Sequence, residues 1–582
     1  MKTKIIFSVF LIFSIYSHAA YLSNVSITIT QPNGTKIECF ATGDEYYNWV
    51  HDKEGYTIIQ NDKTGYYCYA ILNGDELAAS KYVVGEVSPK SVNLTPQINI
   101  SRAKILEKMN DFILSTPQEQ NTRNFKAVKA ATGTLNNIVV YIRFADQAEF
   151  FANQQDYTAL FNNTTGNSMR NYFNEVSYNQ LDIISHFYPI NNGTVILSYQ
   201  DSYNTGYYCQ YNAVTNPSGY TDEQRTNREH TLLLNAINYI KNQIPSSLNI
   251  DYDNDGFVDN ICFIIRSTSM PSSILWPHKW GLYSYDVRIN NKRAYTYNIQ
   301  SDSGLLPSQN NGVLCHEMNH TFGAPDLYHP SGDASPVGIW DVMASSQNPP
   351  GHMGAYMKYK YGGWISSIPS ITASGTYTLQ PLTSATNNCY KIPIYGSSEY
   401  IVVEYRKKTG IFENSLPNSG LIIYRINEIY EGNYTGWRYG GIADEVYIFR
   451  RDGTLSADGY VYDAHFSETS PRTTFSNSTN PYCFVSNGNY GNLYVKNIRE
   501  NANGTLSFDV RFCDNTNIVY SNTSNLPTLT NAFNKIQTSG TVIVKNTDNV
   551  TFEAGNVILL NSGFEVKVGG VFEMNINSCG NK

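Results

Sequence analysis

Histidines at 316 and 320, with Glu317 beside the first and with Gly323 and Asp326 following, restrict what the segment GVLCHEMNHTFGAPDLYH can become. A helix from Gly312 to Phe322 sets positions four apart on one face, so both imidazoles reach a single ion. Glu317 is turned about 100° from His316 and faces the space beside that ion without joining its ligands. Gly323 accepts the left-handed backbone that stops a helix, and the chain then swings back to bring Asp326 to the same ion. Two imidazoles and a carboxylate suit zinc, with the fourth tetrahedral position left for water. A zinc-bound water is acidified, and Glu317 is placed to take its proton and hand it to a leaving group. Chance is a poor competitor. With 10 His in 582 residues, an accidental H-E-x-x-H arises with a probability on the order of 1%, and demanding the later Gly and Asp lowers that to roughly a few in 100,000.

The rest of the chain is large enough for several domains. Its 582 residues are 41% hydrophobic and 13% aromatic, with 46 Tyr and 26 Phe, so it can bury a core. Charged residues make up only 15%, against about 25% in an average soluble domain, which argues against coiled coils and long solvated helices. The net charge of −8 supplies no basic field for phosphates, so no nucleic acid is expected as a partner. Lys2 and Lys4 precede the apolar run Ile5 to Ile15, and Ser17-His18-Ala19 offers small residues for cleavage. This reads as a signal peptide, since a membrane anchor needs about 18 or more apolar residues. No later segment is long enough to span a bilayer, so the protein is expected outside the cell, secreted or associated with the cell surface, as a monomer.

Organisation follows from changes of pattern. After the signal peptide (1–19), residues 20–125 begin with short strands broken by turns, continue into a helix capped by Ser101 (AKILEKMNDFIL) and end in a polar linker that carries Arg123 and runs on past residue 125 through Lys126 and Lys129. Residues 126–370 mix strands such as NNIVVYIRFAD and NICFIIR with helices at Asn167 to Val176 and Arg228 to Gln243, an α/β or α+β pattern. Residues 371–512 read as a β-sandwich and 513–582 as a short terminal β-stack. Nine cysteines leave at least one unpaired within the chain, and no C-x-x-C occurs. Cys513 and Cys579 bracket the last segment and either pair or are unrelated. Cys39 and Cys68 are either joined to each other or able to offer a thiolate to the open zinc position.

HEMNHTFGAPDLYH is preceded by SMRNYFNEVSYNQLDI, DYDNDGFVDNICFII and LWPHKW and followed by GIWDVMASS and GHMGAYMKYKYGGW. Over residues 135–370 this ordered set resembles the immune inhibitor A family of secreted bacterial zinc endopeptidases. EYYNWVHDKEGYTII is similar to the propeptide opening of such proteins, and EYIVVEYRKKTGIFENSLPNSGLIIYRI to the β segment after their catalytic domains. The resemblance implies a metzincin-like catalytic domain with zinc on His316, His320 and Asp326, Glu317 as general base, and Met343 in a methionine turn beneath the metal. Many metzincins have a third His where this chain has Asp326. The position two residues after Met343 is Ser345, so no tyrosine switch is implied.

Three further sets carry alternatives. Asp251, Asp253, Asp255 and Asp259, with Gly256, offer oxygen ligands in the order of an EF-hand opening, yet the distal Glu is missing; calcium or a solvated Asx-rich turn fits. His278 and Tyr328 either donate to the tetrahedral intermediate or serve structure. The function expected is hydrolysis of peptide bonds in protein or peptide substrates by a zinc-dependent proenzyme, activated by cleavage between Pro117 and Thr134. The competing reading is a secreted binding or adhesion β protein with an inactive protease-like domain. Intact His316, Glu317 and His320 speak against it.

Overall fold

Alternation of apolar and polar residues from Val25 onward builds an antiparallel meander in the computed structural model, which describes residues 22–44, 46–115, 131–191, 193–266, 273–306, 309–329, 335–433, 444–491, 493–512, 515–555 and 557–576. Strands β1 (Leu22–Thr30), β2 (Lys36–Gly43), β3 (Asn48–His51), β4 (Thr57–Gln60), β5 (Tyr67–Asn73) and β6 (Glu76–Val83) pair in chain order. Every second side chain turns inward, so Ile27, Ile29, Cys39, Ala41, Ile58 and Tyr69 share one core. Helix α1 (Arg102–Ser115) follows, with the Ser101 hydroxyl accepting from the Lys104 amide. Cys39 and Cys68 are free, buried thiols. Burial pushes Cys39 up to about 11 and raises Cys68 as well, so the two stand as protonated thiols with no disulfide between them. The signal segment, most of the basic linker, Cys513 and Cys579 lie outside the described residues.

The second sheet is bonded to the helix that carries His316 and His320. Its strands are β7 (Gly133–Arg143), β8 (Leu181–Tyr188), β9 (Tyr199–Gln200), β10 (Ile261–Ile265), β11 (His278–Gly281) and β14 (Thr296–Ser301), with the short hairpin β12 (Arg288–Ile289) and β13 (Lys292–Arg293) beside it. The order is β11-β14-β10-β7-β8, with β9 also on β7; β7, β10 and β14 run parallel and β11 antiparallel at the edge. Strand β10 and the stretch Ile138–Ile142 of β7 are unbroken apolar runs because both faces are covered. Helices α2 (Gln154–Asn162), α3 (Met169–Val176) and α4 (Arg225–Ile240) lie between the strands in sequence. Leu232, Leu233, Ala236, Ile237 and Ile240 of α4 share a core with Ile138, Val140, Ile142, Ile261, Phe263 and Ile265. Helix α4 starts ahead of the expected Arg228 because Thr221 and Gln224 form a capping box on the turn that feeds it.

The chain divides into two compact units: Met1–Lys129, Gly133–Arg170 and Asp182–Gly323 form one, and Ala130–Thr132, Asn171–Leu181 and Ala324–Lys582 the other. In the second unit, β15 (Gly375–Leu379), β20 (Tyr494–Glu500) and β21 (Leu506–Arg511) form one sheet, and β16 (Cys389–Pro393), β17 (Tyr400–Arg406), β18 (Gly420–Ile426) and β19 (Val446–Ile448) another. Their inward residues, including Leu379, Leu506 and Phe508 from the first and Ile392, Ile401, Val403 and Leu421 from the second, share one core, which is a sandwich. The last strands, β22 (Asn515–Thr523), β23 (Leu529–Val544), β24 (Asn549–Ala554), β25 (Val557–Leu559), β26 (Phe564–Val566) and β27 (Val571–Ile576), pair in parallel as the expected stack. The chain is thus a multidomain, mixed α/β protein with several sheets. No helix among the described residues is long and apolar enough to cross a membrane.

A buried lysine in this unit makes stability depend on pH. Lys358 is 0% exposed, and its ammonium lies 3.1 Å from His352 Nδ1 and 3.3 Å from the Tyr178 hydroxyl. Burial, with the Arg406 charge adding to it and the Glu413, Glu404 and Glu175 carboxylates opposing, lowers its pKa from 10.5 to about 7. Between these two values the unfolded chain binds a proton that the folded chain does not. Stability therefore rises as pH climbs from about 7 to about 10.5. Lys358→Met is expected to flatten that rise, measured as the difference between the two proteins' urea midpoints at pH 7, 8 and 9. Parallel curves would show that Lys358 keeps its proton in the fold.

Candidate metal centre

The helix that carries His316 and His320 is short, and the sheet beneath it holds it in place. Helix α5 (Asp302–Leu305) ends the stretch after β14, and α6 (Gly312–Thr321) follows as expected, with Phe322 at its end and Gly323 in the left-handed region at φ +87°. Three buried asparagines lie side by side across the sheet. Asn260 donates to Asn137 (2.7 Å), Asn298 donates to Asn260 (3.3 Å), and the Thr321 hydroxyl donates to the same Asn260 oxygen (3.2 Å), tying the last turn of α6 to the sheet. Amides paired this way inside a low-dielectric core fix one register, because any slip leaves them unpaired.

On α6, His316 and His320 are each 1% exposed and Glu317 is 0% exposed. The Nε2 atoms of the two histidines are 3.0 Å apart, with the rings nearly perpendicular at 81°. Two nitrogens bound to one tetrahedral zinc at about 2.0–2.1 Å each stand roughly 3.3 Å apart, so the rings need only a small adjustment to hold it. In this continuous stretch His316, His320 and Asp326 each bring a ligand atom within 4.8 Å of the others, and all three are buried. The donor set of two imidazoles and one carboxylate fits zinc.

Asp326 is placed by residues distant in sequence. Its carbonyl accepts from the Asn433 amide (3.0 Å), and the Asn433 side chain donates to the Leu327 and Val446 carbonyls while accepting from the Val446 amide. The Leu327 amide in turn donates to the Met343 carbonyl (2.9 Å), so the segment carrying Met343 is bonded directly beside Asp326. That turn closes around Asp341, whose carboxylate accepts from the Met343 and Gly354 amides at 2.8 and 2.7 Å. Burial outweighs these bonds and pushes Asp341 up to about 6. Met343 is fully buried, and Ser345 donates its amide to the Asp341 carbonyl. Neither Asn433 nor Asn260 was legible as a site residue. Asp341, two residues before Met343, carried the usual signal of an Asx turn.

The remaining candidates are placed as follows. Tyr328 is buried at 5% exposure. His278 is 2% exposed, with Nδ1 2.6 Å from the Trp276 carbonyl and Nε2 3.0 Å from Glu229 Oε1. Both partners are acceptors, so both ring nitrogens carry protons and neither is turned toward a substrate. Although burial opposes the charge, Glu229 raises the pKa of His278, which in turn lowers that of Glu229. Tyr297 also donates to Glu229, and His278 lies within electrostatic range of Glu317. The next residue of α4, His230, is driven by burial down to about 4 and is neutral. In the acidic loop, Asp251, Asp253 and Asp259 bring oxygens within 4.8 Å of one another, and Asp255 stands outside that set. Asp251 is already bonded to Lys292 and to the Asp255 and Gly256 amides. Burial, with the neighbouring carboxylates, pushes Asp259 up to about 7 against its bond from the Tyr252 amide.

No curated protein matches the chain. Residues 267–361, which contain His316, Glu317, His320, Asp326 and Met343, match the model of the immune inhibitor A peptidase M6 catalytic domain, and this match supports a metallopeptidase acting on protein or peptide substrates.

Proposed function

We propose that the chain is a secreted zinc endopeptidase made as a proenzyme, with His316, His320 and Asp326 as the metal's protein ligands. The observation that carries this reading is the meeting of three buried ligand atoms within 4.8 Å beside Glu317. Zinc bound there supplies a Lewis acid that polarises the scissile carbonyl and acidifies water. Glu317 accepts a proton from the attacking water and delivers it to the departing amine. Asn433 and the Met343 turn hold Asp326 in register, so the ligand set does not depend on the short helix alone. Met343 contributes a packed, fully buried base to that turn.

Casein hydrolysis by the linker-cleaved protein tests the reading. Activity is expected to vanish with a zinc chelator and to return on adding one equivalent of zinc. Hydrolysis that persists with zinc stripped to background, or none at all from zinc-loaded protein, would overturn it.

A further inference from the structure

The motif LWPHKW is divided between two surroundings. The Trp276 side chain, 7% exposed, is not packed in the core of the second sheet; it belongs to the cluster formed by Ile27, Ile29, Ala41, Tyr56, Ile58 and Tyr69 of the N-terminal meander. Two residues on, His278 begins β11 in register with Ile299 of β14 and is locked to Glu229 of α4. The two residues are joined directly, since the Trp276 carbonyl accepts from His278 Nδ1. One short segment therefore spans from the core of the N-terminal sheet to β11, which lies against α6, and to helix α4.

A second contact runs beside the first. Gln60 donates to the Thr215 hydroxyl at 2.9 Å, and a Cβ at Gly65 would stand 2.6 Å from Thr215 Cγ2 and 3.2 Å from Val214 Cγ1. The loop holding Val214 and Thr215 is tied back to the Trp276 segment, as Cys209 bridges to Ser273 and the Ile274 amide donates to the Tyr208 carbonyl. The N-terminal sheet thus grips two paired stretches of the second sheet's surroundings. The grip is not fully satisfied: the indole N–H of Trp276 is buried with no acceptor. Leaving the sheet would expose apolar surface but would also return that N–H to water, which makes the seat easier to vacate than a fully paired core.

We infer that Trp276 is the handle through which the N-terminal sheet holds the segment leading into β11, so that the catalytic part becomes free to act when the sheet departs. This rests on the proenzyme reading above. While the indole is seated, the sheet core holds Trp276 in the middle of the segment 273–278, between Ser273 and Ile274, which are tied to Cys209 and Tyr208, and His278, which is tied to Glu229. When the N-terminal part leaves after linker cleavage, the two flanking attachments remain and Trp276 between them loses its seat.

The experiment uses the full chain, uncut and after cleavage between Pro117 and Thr134, and reads both casein hydrolysis and amide exchange of residues 273–281. The wild type is expected to be latent uncut and active cut, with exchange over 273–281 at least tenfold faster once the N-terminal part is removed. Uncut Trp276→Ala is expected to hydrolyse casein at least tenfold faster than the uncut wild type, with the same loosening. Gly65→Asn approaches from the other side and leaves the catalytic sequence intact: asparagine tolerates the φ of +73° at this position, but its Cβ wedges against Thr215. It is expected to act in the same direction. An uncut wild type as active as the cut protein would defeat the proenzyme reading and this inference with it. A latent wild type whose two variants stay latent, with protection over 273–281 unchanged, would defeat the handle and leave the proenzyme standing.

Discussion

Glu317→Gln is expected to lose at least about a hundredfold in kcat/KM, the usual worth of a general base, while binding the same amount of zinc as the wild type. The two halves of this result have separate causes. Zinc is expected to be retained because the clustered donor atoms proposed to hold it belong to His316, His320 and Asp326, and Glu317 is not among them. Activity falls because glutamine keeps the shape and the hydrogen-bonding reach of the side chain but cannot accept a proton. Glu317 is fully buried on a helix whose end is bonded to the sheet through Thr321 and Asn260, so glutamine takes up the same place. Zinc content by atomic absorption and initial rates on a fluorogenic peptide decide the matter. Retention of about a tenth of wild-type activity at equal zinc would remove Glu317 from the role of general base.

Arg406→Leu is expected to cost about 3–5 kcal/mol of unfolding free energy, the range for removing one partner of a buried ionic set. The Arg406 side chain is 0% exposed and bridges two buried carboxylates, donating from Nε and Nη2 to Glu413 and from Nη1 to Glu404 and to the Trp340 carbonyl. Leucine fills part of the volume but leaves both carboxylates without their cation. Glu404 keeps only the Ala355 amide and the Tyr424 hydroxyl, and Glu413 only the His352 amide. Because Trp340 precedes Asp341, the same change is expected to loosen the turn at Met343 and weaken zinc binding. Guanidinium-induced unfolding measures the first effect. Adding Glu413→Gln to the leucine variant is expected to recover part of the loss, since it removes one stranded charge. A loss below about 1 kcal/mol in the single variant would mean that water reaches the carboxylates and the set is not dry.

What the amino-acid sequence determined by itself was local. The four-residue step from His316 to His320 is a property of one helical turn, and Gly323 marks where that turn stops, so the two imidazoles, the neighbouring Glu317 and the end of the helix could all be read from adjacent letters. The same holds for the apolar runs that became β7 and β10 and for the alternation that became β1 and β2, because side-chain periodicity is written in the residues that carry it. The start of α4 was missed by a few residues because the capping pair Thr221 and Gln224 lies outside the periodic segment.

The tertiary structure alone decided how Asp326 is held and where LWPHKW points. Asp326 is held by Asn433, whose side chain reaches a carbonyl 106 residues away, and a hydrogen bond across that separation leaves no mark on the residues next to either partner. His278 stood open to a substrate-side or a structural role until the fold supplied two acceptors, Glu229 from α4 and the Trp276 carbonyl, which engage both of its nitrogens. Trp276 and Trp280 look alike in sequence, yet Trp276 lies in the core of the N-terminal sheet and Trp280 in that of the second. Periodicity says that a residue is buried. Which surface buries it depends on how separately folded layers pack, and that is settled only when distant segments meet.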